Sequence, residues 1–166
     1  MLGIQADALR KSIDALADRE PAFAAAVARA GYPEPRISER GYVTLLRTMV
    51  GQQVSVHAAR SIWAKLEAAV GGASDPTNLI AAPEEALRGA GLSRQKISYA
   101  RSLAEGVVCG ELDLANLPAD DEQAIAQLVQ IKGIGRWSAE IYLLFAEGRP
   151  DVWPAGDLAV QIEVGR

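Results

Sequence analysis

Two short stretches of this chain carry residue types and spacings suited to handling a charged ligand. The first is Leu128-Val-Gln-Ile-Lys-Gly-Ile-Gly-Arg-Trp-Ser-Ala139. Gly133 and Gly135 flank one apolar residue between two amphipathic segments, a spacing that allows a hairpin too tight for side chains at those positions. The amides of such a turn point outward at the start of the second helix, where the helix dipole favours an anion. A turn of this kind holds a phosphate without reading sequence, although Gly-x-Gly alone is more often an ordinary corner between helices. The second stretch is Arg149-Pro-Asp-Val-Trp-Pro-Ala-Gly-Asp-Leu-Ala-Val-Gln161. Asp157 opens a helix there, and the positive end of that helix favours the ionised carboxylate. Most Asp residues so placed are simple N-caps.

Charge and composition narrow the field. Of the 166 residues, 49% are hydrophobic and only 5% aromatic, which suits a mostly helical protein of one core or two small lobes sharing a cleft. No apolar run approaches a membrane span and no signal-peptide layout opens the chain, so no membrane partner is expected. Cys109 is the single cysteine; a disulfide, a Cys-ligated metal or an iron–sulfur cluster cannot form within the chain, and a reducing cytoplasm is the expected location. The formal net charge of −4 argues against a nucleic-acid partner, but its distribution argues for one. Gly41 to Leu66, Ala86 to Ala104 and Gln123 to Ala139 contain no Asp or Glu. They hold Arg47, Arg60, Lys65, Arg88, Arg94, Lys96, Arg101, Lys132 and Arg136, nine of the 17 basic residues. A basic face on an acidic body holds phosphates while limiting non-specific binding, though solvated helix faces often look similar.

The elements that must position these groups read as helices throughout. Ile4 to Ala17 places Ile4, Ala8, Ile13 and Leu16 near one stripe, and Pro21 opens a second helix to Ala30. Ser38 is the expected N-cap of a helix through Tyr42, Leu45, Leu46, Met49 and Val50. Val56 to Val70 forms another, stopped by Gly71-Gly72. Asp75-Pro76 and Pro83 open two short helices, and Ser93 caps a longer one through Ile97, Ala100 and Leu103. Asp120 or Asp121 begins a helix ending near Ile131; after the Gly133–Gly135 turn a helix resumes through Phe145. Nothing alternates like a strand. The expected architecture is all-α, a single domain over residues 1–166.

The hairpin segment closely resembles the helix-hairpin-helix of DNA glycosylases. In that superfamily the hairpin is followed by a Gly/Pro-rich loop and a catalytic Asp, a place that Arg149 to Gln161 fits with Asp157. Leu46-Arg-Thr-Met-Val-Gly-Gln-Gln-Val-Ser55 looks like the family's Gln-bearing segment, and Gly91-Leu-Ser-Arg-Gln-Lys-Ile97 like its turn before a helix near the DNA. Bifunctional members carry a Lys two residues after the second hairpin glycine. Trp137 stands there instead, as in the 3-methyladenine DNA glycosylase II type, and the lack of a cysteine cluster separately disfavours the endonuclease III branch.

The resemblance implies a monofunctional glycosylase in its compact form, acting on double-stranded DNA that contains damaged, alkylated bases, as a monomer, in a bacterial-type, nucleoid-associated setting. A flipped base would meet Trp137, whose indole face suits a cationic leaving group, with Gln52 lining the pocket. An aromatic packed beneath the hairpin is the plainer reading of Trp137. Asp157 would stabilise the positive charge that develops on the sugar and orient or deprotonate the attacking water; Asp151 and Glu140 match that position less well. Gln53 would fill the gap in the stack. Lys96, Lys132, Gly133, Gly135, Arg136 and Ser138 would contact DNA. The carbonyls of Val129, Ile131 and Ile134 would hold a structural monovalent cation; no other cofactor is implied. Tyr142, Trp63 and Trp153 read as core, and His57 as solvated.

The chain stops at Arg166, early in the helix that Asp157 opens, where family members continue through further helices. Missing C-terminal helices, which often add pocket aromatics, are therefore expected, and activity of these residues alone is in question. Three other readings stay open. A non-catalytic helix-hairpin-helix DNA-binding module would leave Asp157 as a cap. A glycosylase for oxidised or mismatched bases would share the fold, with Trp137 arguing against its lyase version. A helical protein-interaction domain would make every motif accidental.

Overall fold

The structure, a computed structural model, describes residues 6–165; Ile4 lies outside them. The described residues form helices only: α1 (Ala6–Ala17), α2 (Pro21–Ala30), α3 (Tyr42–Gly51), α4 (Val56–Val70), α5 (Pro76–Ala81), α6 (Glu84–Gly89), α7 (Arg94–Val108), α8 (Asp121–Leu128), α9 (Arg136–Tyr142), a π-helical turn (Leu143–Glu147) and α10 (Leu158–Val164). None of them is long and apolar enough to cross a membrane.

The helix starts follow local chemistry. Ser55, Asp75, Ser93, Asp120 and Asp157 each accept a backbone N–H of the first turn they open, which satisfies donors that the helix itself leaves free. Gly71 ends α4 in the left-handed conformation at φ 71°. Ser38 departs from its expected role. Its amide donates to the Phe145 carbonyl at 2.9 Å, and Arg40 beyond it pairs with Glu147. The end of the non-helical segment 31–40 is thus tied to the π-helical turn. The helix waits until Gly41, whose N–H donates to the Tyr142 hydroxyl at 2.8 Å. The helix after the hairpin also differs, widening into the π-helical turn beyond Tyr142.

α7 is the centre of the first lobe and packs against α3, α5 and α6, while α4 packs on α3 and α6. The second lobe is the α8–α9 hairpin with the π-helical turn. One apolar core runs beneath both. It includes Leu45, Leu46, Met49 and Val50 of α3, Ile97, Ala100 and Leu103 of α7, Ile125 and Leu128 of α8, and Ala139 and Tyr142 of α9. α1 and α2 pack on each other and contribute no buried residue. Of the three aromatics read as core, Tyr142 is buried and Trp63 packs partly against the core, but Trp153 is 63% exposed. In its loop Val152 and Pro154 turn inward, so the side chain between them faces out.

Candidate active site and nucleic-acid interface

The hairpin is built from its buried apolar residues outward. Ile131 and Ile134 sink into the core on either side of Gly133, and the Ile134 N–H closes the turn onto the Ile131 carbonyl at 3.1 Å. Gly133 has φ 88°, and a Cβ there would overlap the Tyr99 ring of α7. Both reasons demand glycine. Gly135 is different: its φ is −86° and an added Cβ would meet nothing within 4 Å. The expectation of a turn too tight for any side chain therefore applies to Gly133 alone. At Gly135 glycine leaves open space on the outer face, at the N-terminus of α9, where an anion would come closest.

Three sequence-distant segments meet at this face. Gln52 and Gln53 from the α3–α4 turn, Ser93, Gln95, Lys96 and Tyr99 from the start of α7, and Gly133, Ile134 and Gly135 line one groove of about 450 Å³. Gln52 does not reach into open space; its Nε2 donates to the Gly133 carbonyl at 3.2 Å and ties the turn to the hairpin. Gln53 is exposed and holds φ 56°.

The basic residues expected at this surface divide into two groups. Lys132 is exposed, and its backbone N–H donates to the Ser102 hydroxyl at 3.3 Å, leaving the ammonium to solvent. Lys96 turns inward instead. Its Nζ donates to the carbonyls of Val50 at 2.7 Å and Gln52 at 2.8 Å, and partial burial lowers its pKa. Arg136 is matched by carboxylates, with Glu140 at 2.8 Å and a two-pronged pair to Glu122. These pairs raise its pKa and hold Glu122 below the usual carboxylate range. In this structure the Lys96 ammonium and the Arg136 guanidinium, both expected to contact DNA, are engaged by the protein's own carbonyls and carboxylates. Arg47 lies over the Trp63 ring at 4.6 Å, and Arg101 donates to the Ala82 carbonyl at 2.9 Å. Ser138, expected to contact DNA, is buried on the inner face of α9. Glu140 is buried in its pair with Arg136, which removes it as a catalytic substitute for Asp157.

Twenty residues past Trp137, the loop brings Asp157 back beside it, and the indole Nε1 donates to Asp157 Oδ2 at 2.8 Å. Asp157 Oδ1 accepts the amides of Ala159 at 2.8 Å and Val160 at 3.2 Å. Three donors on one carboxylate stabilise its anion. The Trp137 N–H is the largest cause of the lowered Asp157 pKa, followed by the Val160 amide; burial opposes them, and the Ala159 amide adds the least. Trp137 is 43% exposed and not packed beneath the hairpin; the hydrogen bond uses the ring edge. This contact, and the clasp of Lys96 on α3, were not foreseen from the sequence. The only signal for the first was the placing of a donor-bearing aromatic and a carboxylate in flanking motifs.

The carbonyls of Val129, Ile131 and Ile134 belong to one turn. Val129 is the C-cap of α8, and Ile131 has one lone pair in the turn bond, so a second is available. Neutral carbonyl oxygens are the donor type that a monovalent cation takes.

An all-helical fold with a glycine hairpin, a Gln-bearing turn beside it and a carboxylate at the head of the next helix defines the helix-hairpin-helix class of base-excision proteins. The family model for the HhH-GPD superfamily of base excision DNA repair proteins matches residues 46–166, and the chain belongs to that superfamily. It is 33% identical over 129 residues to DNA-3-methyladenine glycosylase 1 of Schizosaccharomyces pombe, covering 72% of this chain and 54% of that protein. Among solved structures, a DNA-3-methyladenine glycosidase from Bacillus halodurans superposes with a TM-score of 0.79 at 36% identity, covering 87% of this chain and 68% of the other. The 3-methyladenine DNA glycosylase of S. pombe bound to abasic DNA gives a TM-score of 0.78 at 30% identity, covering 90% and 76%. The chain spans about half the length of the curated relatives it matches.

Proposed function

We propose that this protein is a monofunctional DNA glycosylase that removes alkylated bases, 3-methyladenine among them, from double-stranded DNA. The observation that carries the reading is the Trp137–Asp157 hydrogen bond. It joins an exposed aromatic face to an anionic carboxylate next to a hairpin suited to a phosphate. Relatives named as 3-methyladenine glycosylases support the same substrate class.

In this mechanism the hairpin amides and Lys132 hold the backbone, Gln53 fills the gap in the stack, and the damaged nucleotide turns out towards Trp137. Alkylation at a ring nitrogen leaves the base cationic, and stacking it on an indole contributes ~0.5–2 kcal/mol. As the N-glycosidic bond breaks, its electron pair leaves with the base, which departs neutral, and positive charge spreads over the sugar. Asp157 faces that charge as a fixed anion. Water oxygen bonds to the sugar carbon and loses its proton to solvent. A carboxylate already accepting three hydrogen bonds is a weak base, so Asp157 acts by electrostatics and by orienting the water rather than by taking its proton. Trp137 provides no amine for a Schiff base, and the product is an abasic site without a strand break. A monovalent cation on Val129, Ile131 and Ile134 would add positive charge beneath the phosphate.

Asp157→Asn tests the reading. The Asn side-chain oxygen still caps α10, but the charge is gone, and the amide NH2 cannot accept the Trp137 N–H as Asp157 Oδ2 does. Single-turnover excision of 3-methyladenine should fall about a hundredfold or more, with duplex affinity and thermal unfolding little changed. Near-normal excision by the folded variant overturns the mechanism. Excision by the wild-type chain only from oxidised or mismatched duplexes would replace the substrate class. Duplex binding with no excision of any lesion would leave the non-catalytic module.

A further inference from the structure

Gln53 is the one non-glycine residue among those described with a positive φ, 56°. A Cβ resists that conformation, and it persists where surrounding structure over-determines it. The surrounding structure here is α7. The Lys96 ammonium spans the Val50 and Gln52 carbonyls, which lie at the end of α3 where no helical N–H remains to meet them and where a cation suits the dipole. One turn along, the Tyr99 ring backs onto Gly133, and Gln95 donates to the Tyr99 hydroxyl. Gln52 closes the circuit with its bond to the Gly133 carbonyl. The first two turns of α7 thus touch both elements that face the groove, the Gln turn through Lys96 and the hairpin through Tyr99.

We propose that Lys96 is a positioning residue that clamps the Gln52–Gln53 turn beside the Gly133–Gly135 hairpin, presenting Gln53 to the duplex already in its left-handed conformation. The proposal rests on the glycosylase reading for its benefit. A side chain that must occupy the gap left by a flipped nucleotide does so more readily when no ordering is needed on contact. Two of the three ammonium donors are committed to carbonyls, so the charge serves the turn and not a phosphate.

The experiment compares wild type with Lys96→Met, which keeps the stem and loses the donors, and Lys96→Arg, whose fork can again span two carbonyls. Lys96→Gln replaces the Met variant should that not fold. Hydrogen exchange at residues 52–56 should quicken about tenfold in Lys96→Met, with α8 unchanged, and return in Lys96→Arg. Unstacking reported by 2-aminopurine fluorescence and single-turnover excision should fall together by about tenfold, with affinity for undamaged duplex within about twofold and an unchanged salt slope. In a Gln53→Gly background, where the turn adopts its φ freely, removal of Lys96 should matter less than half as much. A salt slope lowered by about one with normal exchange would make Lys96 a phosphate contact and overturn the clamp. Uniformly faster exchange across α3, α7 and α8 would make it a general structural residue and do the same. Exchange needs no activity: a wild type inert on every lesion defeats the proposed function, while the exchange pattern still decides the clamp.

Discussion

The hairpin and the Asp157 arm are both turns that open a helix, yet they are secured in opposite ways. The hairpin is anchored from below: Ile131, Ile134, Ser138 and Ala139 are buried and Gly133 rests on Tyr99. α10 contributes no buried residue, and Leu158 and Val164 are 69% and 72% exposed. Among its ties are the Asp157 cap, the Trp137 bond, the Gln161 side chain donating to the Ala155 carbonyl at 2.8 Å, and the inward Val152 and Pro154. Packing against a core resists local opening far better than a few exposed hydrogen bonds. The face suited to DNA is therefore held from below by the core, whereas within residues 6–165 the carboxylate is placed by hydrogen bonds, the Trp137 N–H among them.

The sharpest way to break this contrast is at the two glycines. Gly133→Ala should cost about 2–4 kcal/mol of stability, from overlap with Tyr99 plus the left-handed backbone, read as a lower midpoint in denaturant. Gly135→Ala should fold as well as wild type and instead weaken duplex binding, because its Cβ occupies the outer face. Equal stability loss in both variants would mean that the hairpin is not anchored through Gly133.

On the other arm, Trp137→Phe keeps an aromatic face and removes only the N–H. The Asp157 pKa, depressed mainly by that bond, should move back up. Ionised Asp157 is then lost at a higher pH as acid is added, so the acid limb of the excision profile shifts upward, while near neutrality the carboxylate stays ionised and a fall in rate there would report its looser placing. The stability linked to Asp157 has the same sign: present above its unfolded pKa, lost as pH falls through the folded one. An unmoved acid limb would show that the arm holds its carboxylate without Trp137.

The smallest effect is expected at Lys132. Lys132→Gln should lower the salt slope of duplex binding by about one without altering stability. The same change at Arg136, whose charge is matched by Glu122 and Glu140, should lower thermal stability more than the slope.

The basic windows show how far residue types could be read. Their freedom from acids is a property of the chain, and all three windows contribute residues to the one groove beside the hairpin. That freedom could not say that Arg136 finds Glu122 from outside its window, or that Arg47 settles on Trp63, because long side chains choose partners across the fold. Ser38 makes the same point for a cap. It has the residue type for an N-terminus, but its amide is taken by Phe145, far along the chain.

What the sequence by itself determined is the local part: helices by their apolar period, starts at Ser55, Ser93, Asp120 and Asp157, and the glycine at 133. Each depends on groups within a few residues, so the pattern and the contact coincide. The tertiary structure alone decided that Lys96 faces the end of α3, that Gln52 reaches Gly133, and that the Trp137 N–H meets Asp157. Those contacts join segments from 20 to 81 residues apart. Which partners meet over such distances is set by how the core packs the helices, and no local propensity encodes it.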